Sequence, residues 1–131
     1  MIVVDAHCDS LTRAVNNKKS LVSNSFHWDI KRALGYDGFV KVLAVFQDPD
    51  EEKPSFNNAM RYIHEAEKIE SRNSFFKICK NYDDINEGLK SKKVCGILSL
   101  EGGEALEGKT ENLDVFYNAG VRLITLTWNY P

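Results

Sequence analysis

The segment Phe39-Val40-Lys41-Val42-Leu43-Ala44-Val45-Phe46 constrains this chain more than any other, because only Lys41 interrupts an otherwise apolar run. A strand with one wet face alternates apolar and polar residues. A near-continuous apolar strand has both faces covered, which is the situation of parallel sheets flanked by helices. Shorter apolar runs at Ile2-Val3-Val4-Asp5 and at 75–79, 94–100 and 122–127 predict further strands. Between them the period changes. Ser55 predicts a helix cap, followed by Ala59, Tyr62, Ile63, Ala66 and Ile69 at three- and four-residue steps. Asp83 opens a second helical pattern with Ile85 and Leu89 one turn apart. A third places Leu113, Phe116 and Tyr117 on one face and stops at Gly120. Strands alternating with helices define an α/β chain with a parallel sheet. An acidic loop bracketed by Pro49 and Pro54 separates two of the elements. With no repeat, low-complexity tract or linker, residues 1–131 read as a single segment.

Composition narrows the function classes. The 131 residues suffice for one core but not two. Lys plus Arg number 17 and Asp plus Glu 19, a net charge of −2 with a pI of about 5.9. That balance gives no electrostatic reason for a nucleic-acid or anionic-membrane partner. No apolar run approaches the roughly 20 residues of a membrane span, and the first residues lack the basic start and apolar core of a secretory signal. Cys8, Cys79 and Cys95 are odd in number and widely spaced. They suit reduced thiols in the cytoplasm better than a disulfide framework or a CxxC metal knuckle.

Two constellations carry chemistry. In Asp5-Ala6-His7-Cys8-Asp9, at the end of the first predicted strand, His7 and Asp9 project to one face and Cys8 to the other. An imidazole and a carboxylate so placed can share a divalent cation, and zinc accepts both ligand types. The plainer reading is a capped strand end, with Cys8 an inert buried thiol. The second is Leu98-Ser99-Leu100-Glu101-Gly102-Gly103. A carboxylate at the carboxyl end of a buried parallel strand sits where barrel enzymes place catalytic groups, and two glycines behind it let backbone or ligand come close. Here the plainer reading is a strand-terminating turn with a solvated Glu.

A rival overlaps the second constellation. Gly103-Glu104-Ala105-Leu106-Glu107-Gly108-Lys109-Thr110 matches the phosphate-binding pattern G-x-x-x-x-G-K-[ST] after a strand and before a helix. However, Glu101, Glu104 and Glu107 crowd the supposed cradle, which works by aiming N–H dipoles and a Lys at anionic oxygens. No apolar strand ending in Asp follows to hold magnesium. His64-Glu65-Ala66-Glu67-Lys68 begins like the HExxH zinc helix but has Lys at the second His position, so His64 reads as an exposed helix residue. His27, beside Trp28, reads as a surface or core-edge residue, and Lys90, Lys92 and Lys93 read as a solvated helix end.

Taken in order, several pieces resemble the renal, or membrane, dipeptidase family of zinc peptidases. They are Asp5-Ala6-His7-Cys8-Asp9, His27-Trp28-Asp29-Ile30, Leu98 through Gly103, and Gly120-Val121-Arg122-Leu123-Ile124-Thr125-Leu126-Thr127. The resemblance implies an amidohydrolase-like (β/α)8 TIM barrel with two zinc ions at its C-terminal face, and hydrolysis of dipeptides by a metal-activated water. On that likeness His7 and Asp9 bind one zinc, while Glu101 bridges both and is the catalytic carboxylate. The family's two remaining zinc-binding histidines have no counterpart in these residues. Trp128 stands where many members carry a substrate-contacting His; it is the substrate-binding candidate and marks a subgroup with different substrates.

A (β/α)8 barrel needs about 250 residues, so this chain is expected to supply roughly the first half: an incomplete barrel, inactive alone, with part of the zinc site. The substrate of the completed enzyme is a small dipeptide. Self-association is expected through the open sheet edge left by the last strand. Two readings of other classes stay beside this one, a P-loop nucleotide-binding domain through residues 103–110 and a non-catalytic α/β association module.

Overall fold

The computed structural model describes residues 1–51 and 53–128. The apolar run forms the long strand β2 (Gly38–Phe46), preceded by β1 (Ile2–Asp5), α1 (Ser10–Asn16) and the one-turn α2 (Ile30–Ala33). After β2 come α3 (Phe56–Arg72), β3 (Phe76–Ile78), α4 (Tyr82–Lys90) and β4 (Val94–Glu101). A 3-10 turn (Glu104–Leu106), α5 (Thr110–Ala119) and β5 (Val121–Thr125) complete the order. All pairings are parallel: β1 with β2, β2 with β4, and β4 with both β3 and β5.

β4 therefore has two partners on one edge. β3 pairs with its first residues, Val94 to Gly96, and β5 with its last, Leu98 to Glu101. Setting aside the three-residue β3, the strands β1, β2, β4 and β5 lie side by side in chain order, the arrangement of consecutive strands in a (β/α)8 barrel.

Register sorts the side chains. Phe39, Leu43 and Val45 share a face with Val94, Leu98 and Leu100, and form one core with Leu11, Ile30, Ala59, Ile63 and Ala66. Their helices cover this outer face. The opposite face carries Val40, Cys95 and Ile97 near the amino ends of the strands, where α4 packs Ile85 and Leu89 over them. Lys77 of β3 ties down α4 through Asp84, at 3.2 Å, and Glu87, at 2.5 Å. At the carboxyl ends the same face carries Phe46 and Glu101.

The predicted elements need correction at their edges. α4 starts at Tyr82 rather than Asp83, because the Asn81 side chain accepts from the Asp84 N–H and is the cap. The last strand is Val121–Thr125, shorter than 122–127, and β3 is shorter than 75–79. Of the three residues expected on the apolar face of α5, Phe116 is buried while Leu113 and Tyr117 are exposed. α1 and α2 went unpredicted. Seven and four residues are too few for a periodic stripe, and α2 is held by its Asp29 cap.

Candidate metal centre

β1 stops at Asp5, yet its ladder resumes. The Cys8 N–H donates to Val42 O at 3.1 Å, and the Ala44 N–H donates to Cys8 O at 2.9 Å. Asp5 is opposite Lys41, so three steps along the first strand match two along β2. The extra residue is a bulge at Ala6-His7, a device that re-aims a side chain at a sheet rim. The result is the convergence expected from the His-x-Asp spacing: His7 Nε2 lies 3.4 Å from Asp9 Oδ1.

Glu101 is the last residue of β4, two strands away, and Glu101 Oε2 lies 3.3 Å from the same His7 Nε2. These three side chains are, among the described residues, the one group of three donors within 4.8 Å of one another. The two separations from His7, 3.3 and 3.4 Å, match the edge of a tetrahedron with metal–ligand bonds of about 2.0–2.1 Å, while the Asp9 and Glu101 oxygens lie within 4.8 Å of each other. Glu101 Oε2 is also buried without a hydrogen-bond partner among the described residues, a costly state unless a cation or proton meets it. Burial raises the Glu101 carboxyl above the ordinary carboxylate range and the Asp9 charge adds to this, with His7 opposing. One imidazole nitrogen and two carboxylate oxygens, one of them orphaned, fit a divalent cation.

The Glu101-Gly102-Gly103 turn has a local reason. Gly102 has φ +101, and a Cβ on Gly103 would stand 2.8 Å from Leu126 O. The Gly102 and Gly103 N–H groups donate to Thr125 O and Leu126 O, both at 2.9 Å. What the glycines admit is backbone, and it binds the end of β4 to the chain beyond β5. Trp128 is thereby brought against Phe46, beside Glu101. These three residues line a cavity of about 140 Å3 with Pro49, Pro54 and Glu104. A larger cavity of about 460 Å3 between Asn16, Asp48, Arg61 and Tyr62 contains none of the three donors, so donor geometry decides the site.

The other candidates lie elsewhere. His27 and His64 are exposed and apart from the donors. In the 103–110 segment Glu107 is left-handed, its carboxylate accepts from the Phe56 N–H at 3.0 Å, and it pairs with Lys109 at 3.4 Å. Sequence reasoning missed two residues behind the site. Lys41 is buried, donates to the Asp5 carboxylate and reaches His7 O at 3.3 Å; the hydrogen bond from Lys41 holds the Asp5 carboxyl below its usual range. A lone cation inside an apolar strand was the available signal.

Nitrogen and carboxylate donors at the carboxyl ends of parallel strands stand where (β/α)8 barrels place their sites. The sequence model of the membrane dipeptidase family, peptidase family M19, matches residues 1–131, and the chain belongs to that family. An uncharacterized protein in the PQQ-III 3' region of Acinetobacter calcoaceticus is 27% identical over 98% of this chain and 49% of its own length. Among solved structures, a family M19 metallopeptidase, dipeptidase AC, is 20% identical with a TM-score of 0.80, over 100% of this chain and 45% of that one. A metallopeptidase from Rhodobacter sphaeroides, solved with a phosphinate mimic of the dipeptide L-Ala-D-Ala, is 20% identical with a TM-score of 0.80, over 100% and 46%. An amidohydrolase from Pseudomonas aeruginosa follows at 15% identity and a TM-score of 0.66, over 99% and 34%. The chain spans about half the length of the curated relative and less than half of the solved ones. Its fold is that of the N-terminal half of an M19 dipeptidase, related to the amidohydrolase TIM barrel. No helix among the described residues is long and apolar enough to cross a membrane.

Proposed function

We propose that this chain supplies the first half of the site of a zinc-dependent dipeptide hydrolase, with His7, Asp9 and Glu101 as the ligands it contributes. The observation that carries the reading is the convergence of His7 Nε2 with one oxygen each of Asp9 and Glu101 from two non-adjacent strands. Family membership and the dipeptide mimic held by the Rhodobacter sphaeroides relative support a dipeptide substrate.

A bound divalent cation supplies Lewis acidity here, activating water and polarising a peptide carbonyl. The chain's own residues do the rest. His7 and Asp9 set one side of the site, and the bulge at Ala6-His7 fixes their approach. Glu101 is the catalytic carboxylate. Its desolvated Oε2 faces His7 and is the oxygen it would offer to the cation. Phe46 and Trp128 wall one side beside Glu101, and this position supports Trp128 as a substrate contact.

With three donors and about half the relatives' length, the chain alone takes metal but does not turn over dipeptide. The exposed apolar residues of its concave face favour self-association, and free thiols at Cys8, Cys79 and Cys95 suit a reducing, cytoplasmic setting. The test is zinc titration of the chain beside His7→Ala and Glu101→Gln, with L-Ala-D-Ala hydrolysis assayed in parallel. Near-stoichiometric zinc in the parent, lost in both variants, and no hydrolysis is the expected result. Equal zinc in all three proteins would overturn the assignment.

A further inference from the structure

Lys41, the single interruption of the apolar run, has no role in the reaction as described, yet it is one of the least exposed charged groups of the protein at 3%. Its strand neighbours on the same face, Phe39 and Leu43, belong to the core, and a Met or Leu here would bury as well with no charge to desolvate. What Lys41 gains instead is two oxygen acceptors and an aromatic face. Its ammonium donates to Asp5 Oδ2, reaches His7 O at 3.3 Å, and stands 5.6 Å from the centroid of the Trp28 ring. The other Asp5 oxygen, Oδ1, accepts the His7 N–H at 3.3 Å. The His7 backbone is thus held on both sides of its Cα, N–H by Asp5 and C=O by Lys41, and the Lys41–Asp5 ion pair closes the ring.

That ring surrounds the bulge where strand pairing is interrupted and His7 lacks the ladder bonds that would otherwise fix its backbone. We propose that Lys41 is a positioning residue for the metal centre. Anchored to Asp5, it fixes the His7 peptide so that the imidazole stays between Asp9 and Glu101. The inference rests on the metal-centre reading. It adds that the geometry of the His7 ligand is set from beneath by an ion pair whose lysine is buried and whose carboxylate is partly exposed, a supporting role of the kind whose loss costs metal affinity 10- to 100-fold.

The test uses the full chain, titrated with zinc against a competing chelator and with cobalt for its visible absorption. Lys41→Met should lower zinc affinity at least about tenfold and alter the cobalt spectrum. Because Lys41→Met strands the Asp5 carboxylate and can weaken the fold, the double variant Lys41→Met/Asp5→Asn decides. It should recover the thermal midpoint but not the zinc affinity. Recovery of both together, or unchanged affinity in Lys41→Met, would overturn the proposal. If the parent chain binds no zinc, the metal-centre reading fails. Hydrogen exchange at the His7 amide then still decides the ring, since about tenfold faster exchange in Lys41→Met is expected and an unchanged rate refutes it.

Discussion

The Phe46 and Trp128 rings lie 4.9 Å apart, centroid to centroid, inclined at 56°, at the edge of the cavity that Glu101 enters. Phe46 ends β2 and Trp128 follows β5, so the contact spans β4 between them. A pair of this kind contributes about 0.5–1.5 kcal/mol beyond its buried area. Phe46→Ala is expected to shift the Trp128 emission to the red. The measurement is made in a Trp28→Phe background, where Trp128 is the one remaining indole. An unchanged spectrum would count against the packing.

Asp29 gives a pH-dependent test of the outer layer. Burial alone would raise its carboxyl, but the N–H groups of Arg32 and Asn24 and the Arg32 guanidinium outweigh it, leaving the pKa below its ordinary value. A depressed carboxyl stabilises the fold above its unfolded value of about 3.9, and that contribution is lost as pH falls through the folded pKa. Asp29→Ala is expected to cost about 2 kcal/mol in urea unfolding at pH 7. The gap between parent and variant should begin to narrow near pH 4 and keep closing as pH falls through the folded pKa. A constant gap down to pH 3 would refute the charge argument.

The glycine turn makes a paired prediction. Gly103→Ala puts a Cβ 2.8 Å from a backbone oxygen, which cannot swing aside as a side chain can, and the expected loss is about 1–3 kcal/mol. Gly108→Ala meets nothing within 4 Å but sits at φ +68, so it should cost only about 1–2 kcal/mol from the left-handed backbone. Only the first should also disturb Trp128 emission, because Gly103 binds the segment that leads to it.

The concave face exposes Ile2 at 59%, Val4 at 70% and Leu123 at 50%. Sedimentation is expected to show concentration-dependent association of the chain, reduced by Leu123→Lys at the β5 edge. A monomer at all concentrations would remove this expectation.

Long periodic elements were the legible part of this fold. β2, α3 and β4 followed from apolar runs and a clear helical stripe, because each buries enough surface for composition to record it. The double partnership of β4 was not legible, since nothing in the residues of β3 says how far along the β4 edge it pairs. The candidate donors His7, Asp9 and Glu101 stood out at strand ends and beside glycines, and the family resemblance joined them into one set. The bulge that aims His7 could not, because it depends on which β2 residues accept the resumed ladder. Lys41 was read as an interruption because its partners lie far from it in sequence and only the strand register brings them together.

His7 and Glu101 are far apart along the chain, with β2 lying between their strands. An ion gripped by both would act as a removable cross-link, closing a loop that contains most of the polypeptide. Such a closure restricts the unfolded chain as well as filling the folded site, so chelation and refolding would be two views of one equilibrium. Metal supply would then govern how long the folded chain survives.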